Sequence, residues 1–512
     1  MTGQIVYAGY AIPEGRVVRD FAVYIEADRI VATGTRAEHS RQYPQADVFG
    51  GDDLIMLPGF VNAHDHGRSI GTQSLGVRDS FLEVWLNNLG RLPTLPPYLA
   101  AAWEGLQLVK SGVTSTAHSH NPSSWETQFE EIPPTLRGYA DAGVRAAMHP
   151  VIIDQNPLVY ADADKFIASL PEHLREEAIR RNQPPPLTAD DYFAMLDALY
   201  KQYHDTETHR VHIQASPAGG QWCSDDLIRR AVKWAKAHNT RVQMHMLETP
   251  YQRIYAFRKW GKSFVQHLND IYALGNWLTL AHMVWMEDDD ANLLAEAGTG
   301  IAHNPSSNLR LRSGIAPVAR MMTVHGRLVG IGMDGHTLDE DHDFLREMRL
   351  AWALSNHPGM KYSKITAGDI LFAGTINAAD ITFGSRTPLG FLQPDYLADL
   401  VLLDWNAIRG PWAPDDYPTV TGRGEGTSLP EQEQFTGVFL RRAKRDHVRH
   451  VMSGGEWLLR DGVHTRLNEA ELAAQIKEAL SRQMPDNTPS SELGPYIRAF
   501  YEKWDLPPQM WR

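Results

Sequence analysis

Two histidine pairs could hold a cation. His64 and His66 end the stretch LPGFVNAHDH, residues 57–66, and His118 and His120 form a second pair. Side chains two apart on an extended segment point the same way, so either pair can present two imidazoles to one divalent ion. With 22 histidines in the chain, chance pairs are expected, and spacing alone does not choose between them. The choice rests on further ligand types arriving in order. QMHMLET offers His245, with Glu248 three residues on; LAHMVW offers His282; GIGMDG offers Asp334. Imidazoles and a carboxylate suit Zn²⁺, and also Fe²⁺ or Mn²⁺. Singly, each has an ordinary structural reading: a hydrogen-bonded histidine, or a turn residue in Asp334-Gly335. Their joint weight depends on separate strands delivering them to one place.

The elements around them supply such strands. Counting 57–63, strand-like runs recur at Gly112–Ala117, Gly143–Met148, Arg210–Gln214, Thr240–Met244, Trp277–Ala281, Gly300–Ala302 and Leu328–Gly332. Helical patterns lie between them. Leu99, Ala102, Leu106 and Val109 share one face, with Gly112 as a stop signal; Leu227, Ile228, Ala231, Val232 and Ala235 form a stripe after Ser224, a suitable N-cap. Eight strands alternating with helices predict a (β/α)8 barrel, whose site belongs at the C-terminal strand ends. Residues 1–56 read as short strands too polar to bury a core alone, with a hairpin over 21–32. Their expected partner is 386–465, where 397–404 reads as a buried strand and 447–459 as a hairpin. The expected organisation is a β-sandwich from 1–58 and 386–465, a barrel from 59–385, and an extension at 466–512. The extension carries a helix at Glu469–Arg482, a loop through Pro485–Pro489, and Trp504 and Trp511. Residues 154–208, broken by Pro184-Pro185-Pro186, form an irregular insertion.

Composition bounds the function. The 512 residues suffice for one large barrel or two domains, and 43% hydrophobic with 22% charged residues is ordinary for a soluble globular chain. A net charge of −13, with scattered Lys and Arg, argues against nucleic acid or an anionic membrane as partner. Cys223 is the single cysteine, which excludes an internal disulfide or a Cys-rich zinc site and fits a reducing, cytoplasmic setting. The first residues lack a signal-peptide pattern, and no run of about 18 apolar residues predicts a membrane span.

The segments PGFVNAHDH, SDDLIRRAVKWAKAHNTRVQMHMLET, LAHMVW, HNPSSNLRLRSGIAPV and GMDG resemble the amidohydrolase superfamily, in its mononuclear deaminase and chlorohydrolase branch. That branch includes cytosine, guanine and S-adenosylhomocysteine deaminases and triazine hydrolases. The likeness covers nearly the whole chain to about residue 465. It implies a distorted (β/α)8 barrel with a β-sandwich built from both termini. It also implies metal ligands His64, His66, His245 and Asp334, and a proton-handling pair, Glu248 and His282. Binuclear relatives end the fourth strand with a carboxylated lysine; here that strand ends Ile213-Gln214-Ala215-Ser216, which favours one metal. Two departures bear on the substrate: Met333 stands where many members have Thr or Ser, and ASPAGGQWCSDD, 215–226, differs from the nucleoside and guanine deaminase patterns.

Other residues extend the site. His118 and His120, at the end of the second strand, face the pocket or bond to loop backbone. Asn304, Ser307 and Asn308 suit turn capping or contact with a polar ring. His303 is expected in the pocket wall or just behind it. Trp222 and Cys223 are candidates to line it, Cys223 not as a nucleophile, since a cation that activates water makes one redundant. Trp85 and Leu86 lie on a helix expected over the barrel mouth. The reading is hydrolytic deamination of an aminated nitrogen heterocycle, with Asp334 accepting the water's proton, Glu248 protonating a ring nitrogen and His282 steadying the new C–O group. The same ligands could serve expulsion of chloride or an alkylamine, or cleavage of an amide or urea; a non-catalytic metal-binding barrel is the reading of another class, for which Glu248 would be superfluous. A small heterocycle as partner and a homo-oligomer, suggested by the apolar tail, complete the expectations.

Overall fold

In the computed structural model, residues 3–356, 365–414, 429–483 and 491–504 are described; Trp511 and the Pro485–Pro489 loop lie outside them. Four strands open the chain: β1 (Gln4–Ala11), β2 (Val18–Glu26), β3 (Arg29–Gly34) and β4 (Asp47–Pro58). The barrel strands follow: β5 (Phe60–Asn62), β6 (Val113–His120), β7 (Arg145–Ile152), β8 (Val211–Ile213), the two-residue β9 (Ser216–Pro217), β10 (Val242–Met246), β11 (Leu278–His282), β12 (Gly300–His303) and β13 (Val329–Ile331). Then come β14 (Leu400–Asp404), β15 (Val448–Ser453), β16 (Glu456–Arg460) and β17 (Val463–His464).

The fold is a distorted (β/α)8 barrel beside a smaller β-domain. Strands β5-β6-β7-β8 and β10-β11-β12-β13 form two parallel runs. A parallel bridge between Ala215 and Val242 joins them on one side, and the Ala63 N–H donates to Ile331 O at 2.8 Å on the other. The distortion sits at the first seam, where β9 leaves β8 and pairs with β7. These strands are buried on both faces, and most read as apolar-rich runs rather than alternating ones; β6, VTSTAHSH, is buried throughout although it is mostly polar. Helices between them start and stop where the side chains dictate. Ser224 Oγ accepts from the Leu227 N–H at 3.2 Å to cap Asp225–Ala237, and Gly112, at φ 84°, lets the chain turn after Pro97–Lys110.

The β-domain is one eight-stranded sheet, β17-β16-β15-β14-β4-β1-β2-β3, built from both ends of the chain. Its centre is the antiparallel pair β4–β14, with Ile55 opposite Leu403 and Leu57 opposite Val401. The period of two divides these residues between two cores. Ile55, Leu57, Val401 and Leu403 pack toward the barrel core, while Leu54, Met56, Leu400 and Leu402 pack with Val6, Val23 and Met452 on the other face. Pro58-Gly59 is not the turn its composition suggests: β4 runs through Pro58, and Gly59 alone separates it from β5. Arg145, on β7, ties barrel to sheet. Its Nε and Nη2 donate to Asp399 Oδ2 and Oδ1 at 3.0 and 2.8 Å, with the side chains 1% and 3% exposed.

The insertion folds as three helices, Ala163–Ser169, Glu172–Arg181 and Ala189–Tyr203, with the prolines between the last two. The described tail is used within the chain: Leu493, Ile497, Tyr501 and Trp504 are buried in the main core, against Tyr160 of the insertion. Among the described residues, no helix is long and apolar enough to cross a membrane.

Candidate active site

Four strand ends meet at one point, with His282, expected to handle protons, standing in the cluster beside three of the four expected ligands. His64, His245, His282 and Asp334 each offer a ligand atom, all within 4.8 Å of one another. His66 joins through its Nε2, 3.1 Å from His245 Nε2 and 3.2 Å from Asp334 Oδ1. Barrel closure places Asp334 beside His64: the N–H groups of Met333 and Asp334 both donate to His64 O, at 3.0 and 2.9 Å. Gly332 is required there, because a Cβ would lie 2.3 Å from Asn304 Oδ1 and 2.9 Å from His64 Cβ. The period-two argument does not aim His64 and His66, since β5 stops at Asn62. Asp65 does so instead. Its Oδ1 accepts from the N–H groups of His66 and Gly67 at 2.7 and 2.9 Å, and Asn62 Nδ2 donates to its Oδ2 at 2.6 Å.

The imidazoles are set as neutral ligands. His66 Nδ1 faces Ser119 O at 3.0 Å, His245 Nδ1 faces Ala218 O at 2.6 Å, and His64 Nδ1 faces Gln243 Oε1 at 2.7 Å. An oxygen acceptor fixes the proton on Nδ1 and leaves the lone pair on Nε2. His66 and His245 therefore aim lone pairs at each other across 3.1 Å, which is repulsive without a cation between them. His64 Nε2 and Asp334 Oδ1 are buried, 3.1 Å apart, without a well-formed hydrogen bond. Burial, then the charge of Arg68, holds His66 down to about 4, and burial, then neighbouring imidazoles, keeps His245 well below the ordinary range. Burial by itself would raise Asp334, but the imidazoles of His64 and His66 against it, then that of His282, outweigh this and hold it well below the usual carboxylate range. Neutral imidazoles and an ionised carboxylate are the metal-binding forms, so this donor set fits one divalent cation.

Glu248 faces inward rather than capping the helix Pro250–Trp260. Its Oε2 lies 3.8 Å from His282 Nε2, and its Oε1 is buried without a partner. Burial, with Asp334 and Glu83 nearby, pushes its carboxyl well above the ordinary range, which favours the protonated form. His282 Nε2 also lies 4.0 Å from Asp334 Oδ2, and Asn308 Oδ1 stands 2.9 Å from its Nδ1. Ser307 Oγ donates to Asp334 Oδ2 at 2.5 Å. His282 and Asp334 have φ of 78° and 58°, a conformation costing about 1–3 kcal/mol per residue that persists only where surrounding structure enforces it.

A cavity of about 350 Å³ opens onto this cluster, reached by His66, His245, Glu248, His282 and Asp334. Trp85, Leu86 and Trp222, expected there, line it; Arg68, Trp125 and Leu311, not singled out by the sequence, line it too. Three expected contacts lie elsewhere. His303 and Asn304 are buried outside the cavity lining, with Asn304 Nδ2 3.4 Å from the ring nitrogens of His282. His118 borders a neighbouring cavity of about 400 Å³ instead. Its Nδ1 accepts from Tyr139 Oη at 2.8 Å, its Nε2 lies 3.2 Å from His120 Nδ1, and His120 Nε2 lies 3.2 Å from Glu131 Oε2. Every ring nitrogen of this second pair is engaged. Cys223 is buried, and burial pushes its thiol up to about 12, far from a nucleophile's range.

Comparison with known proteins follows this geometry. The Amidohydrolase family model matches residues 55–458. The chain is 26% identical over 482 residues to 5'-deoxyadenosine deaminase of Methanopyrus kandleri, covering 92% of this chain and 97% of the relative. It is 28% identical over 389 residues to 5-methylthioadenosine/S-adenosylhomocysteine deaminase of Thermococcus kodakarensis, covering 75% and 81%. Among solved structures, a zinc-bound adenosine deaminase from Xanthomonas campestris superposes with a TM-score of 0.74 at 23% identity, covering 94% of this chain and 98% of that one. An atrazine chlorohydrolase from Arthrobacter aurescens complexed with zinc gives 0.73 at 20%, covering 93% and 99%.

Proposed function

Since the chain belongs to the amidohydrolase family, we propose that it is a metal-dependent hydrolytic deaminase of an aminated nitrogen heterocycle, releasing ammonia. The observation that carries this is Glu248: a buried carboxyl 3.8 Å from His282, at the rim of a cluster of histidines and one aspartate, in surroundings that favour its acid form. A metal site serving only structure has no use for such an acid. We assign His64, His66, His245 and Asp334 to one divalent cation, most simply Zn²⁺. When bound, the cation supplies a nucleophile from water at neutral pH. Asp334 and the Nε2 lone pair of His282 are the bases on hand for the water's proton. Glu248 delivers its proton to the ring nitrogen next to the carbon under attack, and takes part in returning one to the departing amine. His282, once protonated, donates toward the new C–O group. The apolar walls at Trp85, Trp222 and Leu311 suit a flat ring and exclude water from it.

The relatives that act on 5'-deoxyadenosine and 5-methylthioadenosine place 5'-substituted adenosines first in a panel of candidates. Ammonia release across that panel, run beside halide release from chlorotriazines, tests the reading. Ammonia from an aminated ring sustains it, whereas halide or alkylamine release alone would move the leaving group and overturn it.

Metal analysis of the purified protein should give about one transition metal per chain, because one donor set is assembled among the described residues and the fourth strand ends without a lysine. In the double variant His118→Asn/His120→Asn the metal content should stay the same, since those nitrogens are all committed to Tyr139, Glu131 and each other. Two metals per chain, both needed for turnover, or metal loss in a folded double variant, would refute the assignment.

A further inference from the structure

Two cavities meet at Arg68. The metal cavity and its neighbour share His66, Arg68, Leu89 and Asn121. The first, about 350 Å³, lies at the low end of small-molecule pockets, about 300–1,000 Å³. A substrate longer than a bare ring would continue into the second. The charged groups there are not equally available. Glu131 accepts from Thr127 Oγ1 at 2.8 Å, from Ser123 through both its N–H and Oγ, and from His120. His118 and His120 are saturated by the relay described above. Arg68 is different. Its Nη1 donates to Asp334 O at 2.8 Å and its guanidinium lies 5.0 Å from the Trp85 ring, but among the described residues no carboxylate stands at ion-pair distance from it. Arg145 and Arg310, by contrast, each grip a carboxylate through two nitrogens, at Asp399 and Asp79.

The charges around it point the same way: with a divalent cation in place, Asp334 is its one anionic ligand, and Asp65 and Glu104, whose charges also reach Arg68, are already bonded to Asn62 and His342. Resting on the deaminase reading, we propose that the substrate carries a carboxylate on a side arm that passes from the metal cavity into the second one and pairs with Arg68. The planar fork of a guanidinium matches a carboxylate in two parallel bonds, and Trp85 fixes its plane. Arg68 is thus a specificity residue: it selects heterocycles with an anionic arm over neutral ones of equal size.

Calorimetry on the zinc-loaded full chain tests this with adenosine 5'-carboxylate and its neutral match, adenosine 5'-carboxamide. The carboxylate should bind about ten- to a hundredfold more tightly. In Arg68→Gln that ratio should collapse to near unity, with metal content unchanged. Equal affinities, no binding of the carboxylate, or a preference that survives Arg68→Gln (the carboxylate then sitting on the metal) overturns the assignment. Should Arg68→Gln lose its metal, Arg68→Lys carries the test: the fork is gone, so the ratio must fall severalfold, and an unchanged ratio overturns it. Ammonia release in the same samples separates the two readings. Preference without ammonia removes the deaminase reading and leaves Arg68 its role; ammonia without preference does the reverse.

Discussion

Glu248→Gln lowers turnover by about 10²–10⁴-fold, the usual contribution of a positioned acid–base group, and leaves the metal in place. The two halves of that outcome have separate causes. Gln keeps the size of Glu and much of its hydrogen bonding but carries no transferable proton. The side chain lies 3.8 Å from His282 and outside the proposed ligand set, so the cation's own partners are untouched. His64→Asn and His245→Asn should behave in the opposite order, losing metal first and activity in consequence. Steady-state rates on the true substrate, with metal measured in the same preparations, distinguish these patterns. Near-normal turnover of metal-loaded Glu248→Gln would end the acid–base assignment.

Asp399→Ala should destabilise the whole chain. It strands the Arg145 guanidinium, 1% exposed, without its partner, and breaking a buried pair on one side costs about 3–5 kcal/mol. At about 2.1 cal/mol/K per residue over 512 residues, that is a drop of about 3–5 °C in the thermal midpoint. Replacing both partners together with apolar residues should recover much of the loss, because no charge is then left stranded. The pH dependence has a definite sign. Burial alone would raise the Asp399 carboxyl, but Arg145 outweighs it and holds the group below its ordinary value. The stability it contributes is complete above the unfolded value, about 3.9, and is lost as pH falls through the lower folded value. Scans of wild type and Asp399→Ala across that range should converge on the acid side. An unchanged midpoint in Asp399→Ala at neutral pH would mean that the pair does not join barrel to sheet.

The barrel was legible because most of its strands are apolar-rich runs ended by glycine or turn residues, and the helices between them carry caps and stripes; the buried but polar β6, VTSTAHSH, is the exception. The candidate ligands were legible because histidine and aspartate at successive strand ends are chemically conspicuous. What escaped was set by partners far away in sequence. Gln243 is an unremarkable amide on β10 until β5 brings His64 against it, 179 residues distant. Arg68 lies in the irregular stretch after β5, where no periodicity says which way it points. Asn304 was read as a turn cap or a contact to a polar ring, whereas packing sets its amide against the ring of His282. The convergence of His64 and His66 was foreseen for the wrong reason: Asp65, which stands between them, makes the turn that a strand was expected to make.

The β4–β14 pairing also governs how the protein emerges from a ribosome. Strands β1 to β3 are complete before β4 and can join it along one edge, but the other edge of β4, Leu54 to Pro58, has Leu400–Asp404 as its partner. About 340 residues separate the two. At about 5–20 residues per second, translation leaves that apolar edge open for about 17–70 s. Through that interval the nascent chain displays a strand template beside the segment that carries His64 and His66.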